Sequence, residues 1–206
     1  MKYAHISFLE KRGEMEKQPL SDFVSFAPGI NPTRAEEQFS KTQFTYYDQT
    51  SFTQDYYHTS GKLQEREIPG ALEDFAVHTG DVVISNSLHK ATLVHSENSG
   101  KILSLNFTRV NFTGTELDKH FFIYLFNEHA DAQRQKDREI QNTKTSARLP
   151  LKGLRNITIP IVPLKEQLTL GQIYRNVLTL RGKLNRYAEL LNAFAINILE
   201  DNLKEK

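Results

Sequence analysis

The chain of 206 residues contains no cysteine. That excludes a disulfide framework, a thiolate nucleophile and thiolate metal ligands, and it suits a cytoplasmic protein. No run approaches the roughly eighteen apolar residues of a membrane span. The opening MKYAHISFLEKRGEMEKQ is broken by Glu10 before it could form the apolar core of a signal peptide. An excess of one charge is missing as well. Net charge is +1, with 19 Lys/Arg against 20 Asp/Glu over residues 1–163 and 7 against 5 over residues 164–206. A chain that held DNA by phosphate neutralisation alone would be more basic. Any reading of nucleic acid must therefore rest on a local patch or on partner subunits.

The patterns of enzymes are absent too. The ten glycines never fall as G-x-G-x-x-G or G-x-x-x-x-G-K-[ST], so no phosphate-cradling loop is present. No G-x-S-x-G elbow occurs. There is no H-E-x-x-H, and His89 and His95, the closest pair among seven histidines, bring no third ligand with them. Asp74 and Asp81 flank apolar runs without assembling a nuclease site, and no Asn-Pro-Pro-aromatic motif clamps a target base. The expectation is a chain without catalytic residues, metal or cofactor.

What the sequence does have is a seam. With Leu170 at heptad position a, the a series runs Leu170, Val177, Leu184, Leu191 and Ile198, and the d series Ile173, Leu180, Tyr187 and Phe194. Nine consecutive seam positions are apolar, with no proline between them. Tyr174, Leu190 and Ala195 widen the stripe. Such a helix either packs on its own domain or pairs with another helix. More than thirty residues at about 1.5 Å each make a rod of about 50 Å, longer than a domain of about 30–40 Å. The rod should overhang its domain, which favours pairing between molecules. Pro160 and Pro163 mark the boundary, giving a domain over 1–163 and a spacer helix over 164–206.

Upstream the text is mixed α and β. Gly80-Asp81 turns into the strand VVIS, and Ala91 to His95 reads as a second strand. Ile102 to Phe112 reads as a third, with an imperfect period of two. Asn156 to Ile159 is a strand stopped by proline. Asp118 caps a helix whose Phe121, Phe122, Leu125 and Phe126 share a face, and ADAQRQKDREIQ continues as a polar helix. The aromatic, Thr/Gln-rich stretch 38–57 has strand propensity. No repeat of 20–50 residues is visible. Three polar loops carry isolated cations: Asn31, Thr33 and Arg34 in PGINPTRAEEQ; Asn86, His89 and Lys90 in SNSLHK; Lys144, Thr145, Ser146 and Arg148 in NTKTSAR. Arg, Lys, Asn and Ser/Thr can read base edges or hold phosphates, although each loop taken alone also reads as ordinary solvated surface.

The closing segment TSARLPLKGLRNITIPIVPLKEQ, followed by a long coiled-coil helix, resembles the specificity (S) subunits of type I restriction-modification systems. Leu151, Leu154, Ile157, Ile159, Pro160, Pro163, Leu164, Glu166 and Gln167 match the segment that closes a target-recognition domain and opens a spacer helix. Val162 stands where the first proline of the usual pair would be. LSDFVSFAPGINPTR (20–34), HTGDVVIS (78–85) and LDKHFFIYLFN (117–127) are similar to the family's earlier segments, in the right order. The resemblance implies an α+β fold, with one mixed α/β target-recognition domain followed by a long C-terminal coiled-coil helix. It also implies a non-catalytic subunit that binds double-stranded DNA sequence-specifically and positions modification (methyltransferase) subunits and, through them, the restriction subunit. Family members typically carry two recognition domains and two helices, whereas this chain has one of each. Two copies paired antiparallel through the seam would rebuild the arrangement. Pairing with a different half-subunit and a truncated or silent product are the other possibilities. A coiled-coil adaptor whose globular domain binds protein is the alternative outside the family.

Overall fold

The computed structural model describes residues 17–39, 43–58, 66–141 and 150–204. In it the chain runs β1 (Lys17–Pro19), β2 (Val24–Pro28), α1 (Pro32–Gln38), β3 (Tyr46–Tyr47), α2 (Gln49–Tyr56), β4 (Val82–Ser85) and β5 (Lys90–Leu93). It continues through β6 (Ile102–Leu103), β7 (Phe107–Phe112), α3 (Lys119–Glu128), α4 (Ala130–Gln141), α5 (Leu151–Asn156), β8 (Thr158–Pro160) and α6 (Leu164–Lys204). The central sheet has the order β2-β7-β4-β5, with every pair antiparallel. β1 pairs antiparallel with β8, and β3 runs parallel to β6.

The expected strand VVIS is β4, and all four of its residues are buried, as a strand in the middle of a covered sheet requires. Asp118 caps α3 as the sequence suggests, its Oδ1 accepting from the Phe121 amide at 2.9 Å. The α3 aromatics lie on the sheet, Phe122 edge-on to Phe112 at 5.6 Å and stacked on Phe126 at 5.7 Å.

Three local expectations are corrected. The stretch 38–57 is mainly helical over its described part. The Asp48 carboxylate accepts from the Ser51 amide at 2.7 Å and starts α2, and Phe52 and Tyr56, four residues apart, share its buried face. Strand propensity loses there to a cap. The run 102–112 breaks at Ser104–Asn106 because its two halves belong to different sheets. Asn156 ends helix α5, so the strand is Thr158–Pro160 and includes the first proline.

The long helix meets its domain in an unexpected way. The α6 residues buried against the domain are Gln167, Gly171, Tyr174, Leu178 and Gly182. At roughly 100° per residue this stripe lies more than 90° around the helix from the heptad seam. A Cβ on Gly171 would stand 2.7 Å from the Phe121 amide nitrogen, and one on Gly182 would stand 2.2 Å from the Tyr57 carbonyl oxygen. The two glycines therefore let backbone approach backbone. Gln167 donates to the Glu116 and Val162 carbonyls at 2.9 and 2.8 Å and accepts from the Asp118 amide at 2.9 Å. Tyr174 donates to Glu128 at 3.1 Å. Tyr174 and Leu178 thus belong to the core of the domain, and Tyr174 does not widen an outward stripe.

The seam stays free. Leu170 is half-buried against the core, while Ile173, Val177, Leu180, Leu184, Tyr187, Leu191, Phe194 and Ile198 are all exposed, Leu191 by 68%. Fourteen of the sixteen exposed large hydrophobics among the described residues lie on α6. Scattered surface apolars need no explanation, whereas a concentration of this kind does. No described helix is long and apolar enough to cross a membrane.

Candidate nucleic-acid interface

Antiparallel order places the C-terminal ends of β2 and β4 beside the N-terminal ends of β7 and β5. The loops 28–34, 86–89 and 104–106 consequently meet at one end of the sheet. Backbone hydrogen bonds join them: Ile30 donates to Leu103 at 2.8 Å, Leu105 to Ile30 at 3.0 Å and Asn86 to Asn106 at 3.0 Å. Gly29 is needed at this junction, since a Cβ would lie 2.3 Å from the carbonyl oxygens of Leu103 and Ser104.

Within this cluster the candidate readers separate by what their polar atoms already do. Asn31 caps α1, its Oδ1 accepting from the Thr33 amide at 3.1 Å. Thr33 and Arg34 are exposed on the first turn. Arg34 stands at a cavity of ≈ 490 Å³ whose walls include Phe39, Phe75 and Leu105. Asn86 is used inside the domain, with Nδ2 donating to Leu105 at 3.1 Å and Oδ1 accepting from Thr108 at 2.9 Å. Lys90 donates to the Asn127 carbonyl at 2.5 Å and pairs with Glu128 at 3.3 Å. Asn86 and Lys90 therefore hold the loops in place, and of this set Arg34 is the cation that points outward. Leu88 and Leu105 are exposed at the same end. Lys144, Thr145, Ser146 and Arg148 lie outside the described residues.

Two supporting residues carried no sequence signal. The Asn127 side chain pairs with both backbone groups of Ala91, accepting at 2.7 Å and donating at 2.8 Å, and so ties the edge strand β5 to the end of α3. Lys136, in the polar-looking α4, is only 1% exposed. Its Nζ donates to the Phe126 carbonyl at 2.5 Å and to the His89 carbonyl at 2.9 Å, and lies 4.2 Å from the centre of the Phe126 ring. Lys90 and Lys136 together satisfy carbonyls at the C-terminus of α3, where cations suit the helix dipole. Lys136 also holds His89 in its left-handed conformation, φ 54°.

Burial, helped by the charge of Lys90, pushes the Lys136 ammonium down to about 7 from its ordinary 10.5. Between those values the unfolded chain binds the extra proton, so stability rises with pH from 7 upward and is lost again as pH falls back towards 7. Lys136→Met should lack this slope. In urea melts the wild type should gain about 2 kcal/mol relative to that variant between pH 7 and 9, whereas parallel curves would show that the buried amine does not titrate in this range.

On the far side of the sheet the His95 side chain meets His58 and not His89, with Nε2 and Nδ1 2.9 Å apart. A cleft of ≈ 640 Å³ opens between α2, the turn 97–98 and α6.

No family model and no curated protein matches this sequence. Solved structures do. The HsdS subunit from Thermoanaerobacter tengcongensis aligns over 86% of this chain and 40% of its own, with TM-score 0.51 and 15% identity. The type I restriction-modification S subunit from M. genitalium aligns over 94% and 46%, with TM-score 0.54 and 16% identity. A chain from a structure describing complex assembly and conformational transition of the type I restriction-modification system aligns over 96% and 48%, with TM-score 0.56 and 15% identity. The chain spans less than half the length of each of these proteins, and over that span it has the fold of a type I restriction-modification S subunit.

Proposed function

We propose that this chain acts as a DNA-specificity subunit that pairs with a second copy through its long helix, each copy reading one half of a two-part site. The observation that carries the reading is the free seam. The helix docks on its own domain through one face and leaves eight apolar seam residues exposed on another. A second copy of the same helix covers such a surface. Antiparallel pairing centred on Leu184 sets Leu170 of one copy against Ile198 of the other and satisfies two-fold symmetry. The domain-docking stripe is centred near residue 174, so the two domains stand about 30 Å apart along the rod. That is of the order of one turn of duplex, the spacing on which symmetric DNA readers place their half-sites. The halves of the site are then identical and inverted.

In this reading the chain itself carries no catalytic group and acts in the cytoplasm. It positions modification subunits, and through them the restriction subunit, on double-stranded DNA. Leu190, Ala195 and the exposed Ile196, Leu199 and Leu203 lie outside the seam and offer those partners a surface. Pairing with another half-subunit would give an asymmetric site instead. Light scattering with and without the modification subunit tests the dimer, and a stable monomer in both cases overturns it. Sequencing methylated DNA from cells expressing the whole system tests the site, which should be an inverted repeat around a fixed gap. Arg34→Ala should lower affinity about 5- to 150-fold, the equivalent of about 1–3 kcal/mol, and relax discrimination at one position per half-site. An unchanged gel shift and unchanged methylation pattern would remove Arg34 from the contact surface.

A further inference from the structure

We propose that Asp55, His95 and Glu97 form a zinc site at the wall of the cleft between α2 and α6. One ligand atom from each lies within 4.8 Å of the others, the spacing at which a single small cation can be shared. Asp55 sits in the last turn of α2 and is 1% exposed. Its oxygens accept from Tyr47 Oη at 2.7 Å, Asn98 Nδ2 at 3.0 Å and the His95 amide at 3.1 Å. All three donors are neutral, and the nearby Lys101 ammonium, bound to Ser51 Oγ at 2.6 Å, reaches the carboxylate only through space, so the charge is incompletely balanced in the interior. A divalent ion supplies that balance.

The other ligands are held in position before any ion arrives. Arg66 donates to the carbonyls of Glu97 and Ser99 at 2.7 and 2.9 Å, and Asn98 donates to the Ser51 carbonyl at 3.2 Å, so the turn bearing Glu97 is fixed. A second imidazole is at hand, His58 Nδ1 lying 2.9 Å from His95 Nε2 with the rings 4.7 Å apart. His58 lies outside the set that shares the 4.8 Å spacing, so the fourth position of a tetrahedral zinc falls to water or to a rearranged His58. A mixed set of imidazole nitrogen and carboxylate oxygen favours zinc over calcium or magnesium. Asp55 and Glu97 both line the ≈ 640 Å³ cleft, which gives the ion an entry path. Bound there, it would tie the end of α2 to the end of β5 beneath the long helix.

The competing arrangement is a metal-free network in which His58 and His95 share a simple hydrogen bond. Titration calorimetry of the tag-free full chain, stripped with chelator and given zinc chloride, separates the two. We expect one zinc per chain, a rise of several degrees in the melting midpoint, and at least a tenfold loss of affinity in both His95→Ala and Glu97→Gln. His78→Ala, outside the cluster, should bind as the wild type does. If His95→Ala fails to fold, Glu97→Gln carries the test, because it removes a ligand charge from a half-exposed side chain without changing its shape. No zinc uptake by the wild type, or undiminished uptake by folded Glu97→Gln, overturns the site.

Discussion

Replacing Leu184 and Leu191 together by aspartate should convert the protein from a dimer to a monomer while leaving the melting of its domain unchanged. Both side chains are exposed in the single chain, by 58% and 68%, and they lie beyond or beside the stretch that docks on the domain. Their removal therefore costs the folded monomer little. In the proposed antiparallel pair they would be buried. Burying a leucine is worth about 1.5–3 kcal/mol, and two-fold symmetry counts each substitution twice, so the dimer loses about 6–12 kcal/mol. Four carboxylates placed in an apolar seam add a desolvation cost on top. An affinity loss of more than about 10⁴-fold follows at 1.4 kcal/mol per tenfold. Light scattering at micromolar concentration, with circular dichroism to confirm the fold, reads the outcome directly. A dimer that survives both aspartates pairs through some other surface.

The second large effect concerns the opposite requirement, a helix position that tolerates no side chain at all. In an exposed helix interior Gly→Ala is stabilising by about 1 kcal/mol, through propensity. At Gly182 the sign should reverse. An added Cβ would meet the Tyr57 carbonyl oxygen at 2.2 Å, and backbone cannot swing aside as a flexible side chain can. The helix must lift, and it takes Leu178 and Tyr174 partly out of the core. Overpacking of this kind costs about 1–3 kcal/mol, so Gly182→Ala should destabilise by about 2 kcal/mol and Gly182→Val by more. Pairing through the seam should persist, because the seam lies on another face. A Gly182→Ala variant that melts higher than the wild type would show that α6 does not lie against α2 as described.

Much of the fold could be read in the residues because local chemistry decided it. The Asp118 cap, the aromatic face of α3, the buried VVIS strand and the long helix each follow from spacing within a dozen residues. The misreadings have physical causes of the same scale. The stretch 38–57 is rich in aromatics and threonine, which favours strands, yet the cap at Asp48 and the four-residue step from Phe52 to Tyr56 were enough to make α2. At the candidate interface, residue type nominated Asn86 and Lys90 as readily as Arg34. Only the fold shows that the first two are engaged by Leu105, Thr108, Asn127 and Glu128. Asn127 and Lys136, which hold the same loops, gave no signal, since a polar residue in a helix looks solvated until its neighbours are known.

The heptad seam was determined by the sequence by itself: a period of 3.5 survives any arrangement of the domain, because it depends on the helix alone. Which face of that helix the domain would take was decided by tertiary structure. Hydrophobicity would have offered the seam, and the domain instead uses Gln167, Gly171, Tyr174, Leu178 and Gly182. Close approach of two backbones favours absent side chains over apolar ones, and Gln167 finds three hydrogen-bond partners that no periodicity could announce. That choice leaves the strongest pattern in the sequence facing outward.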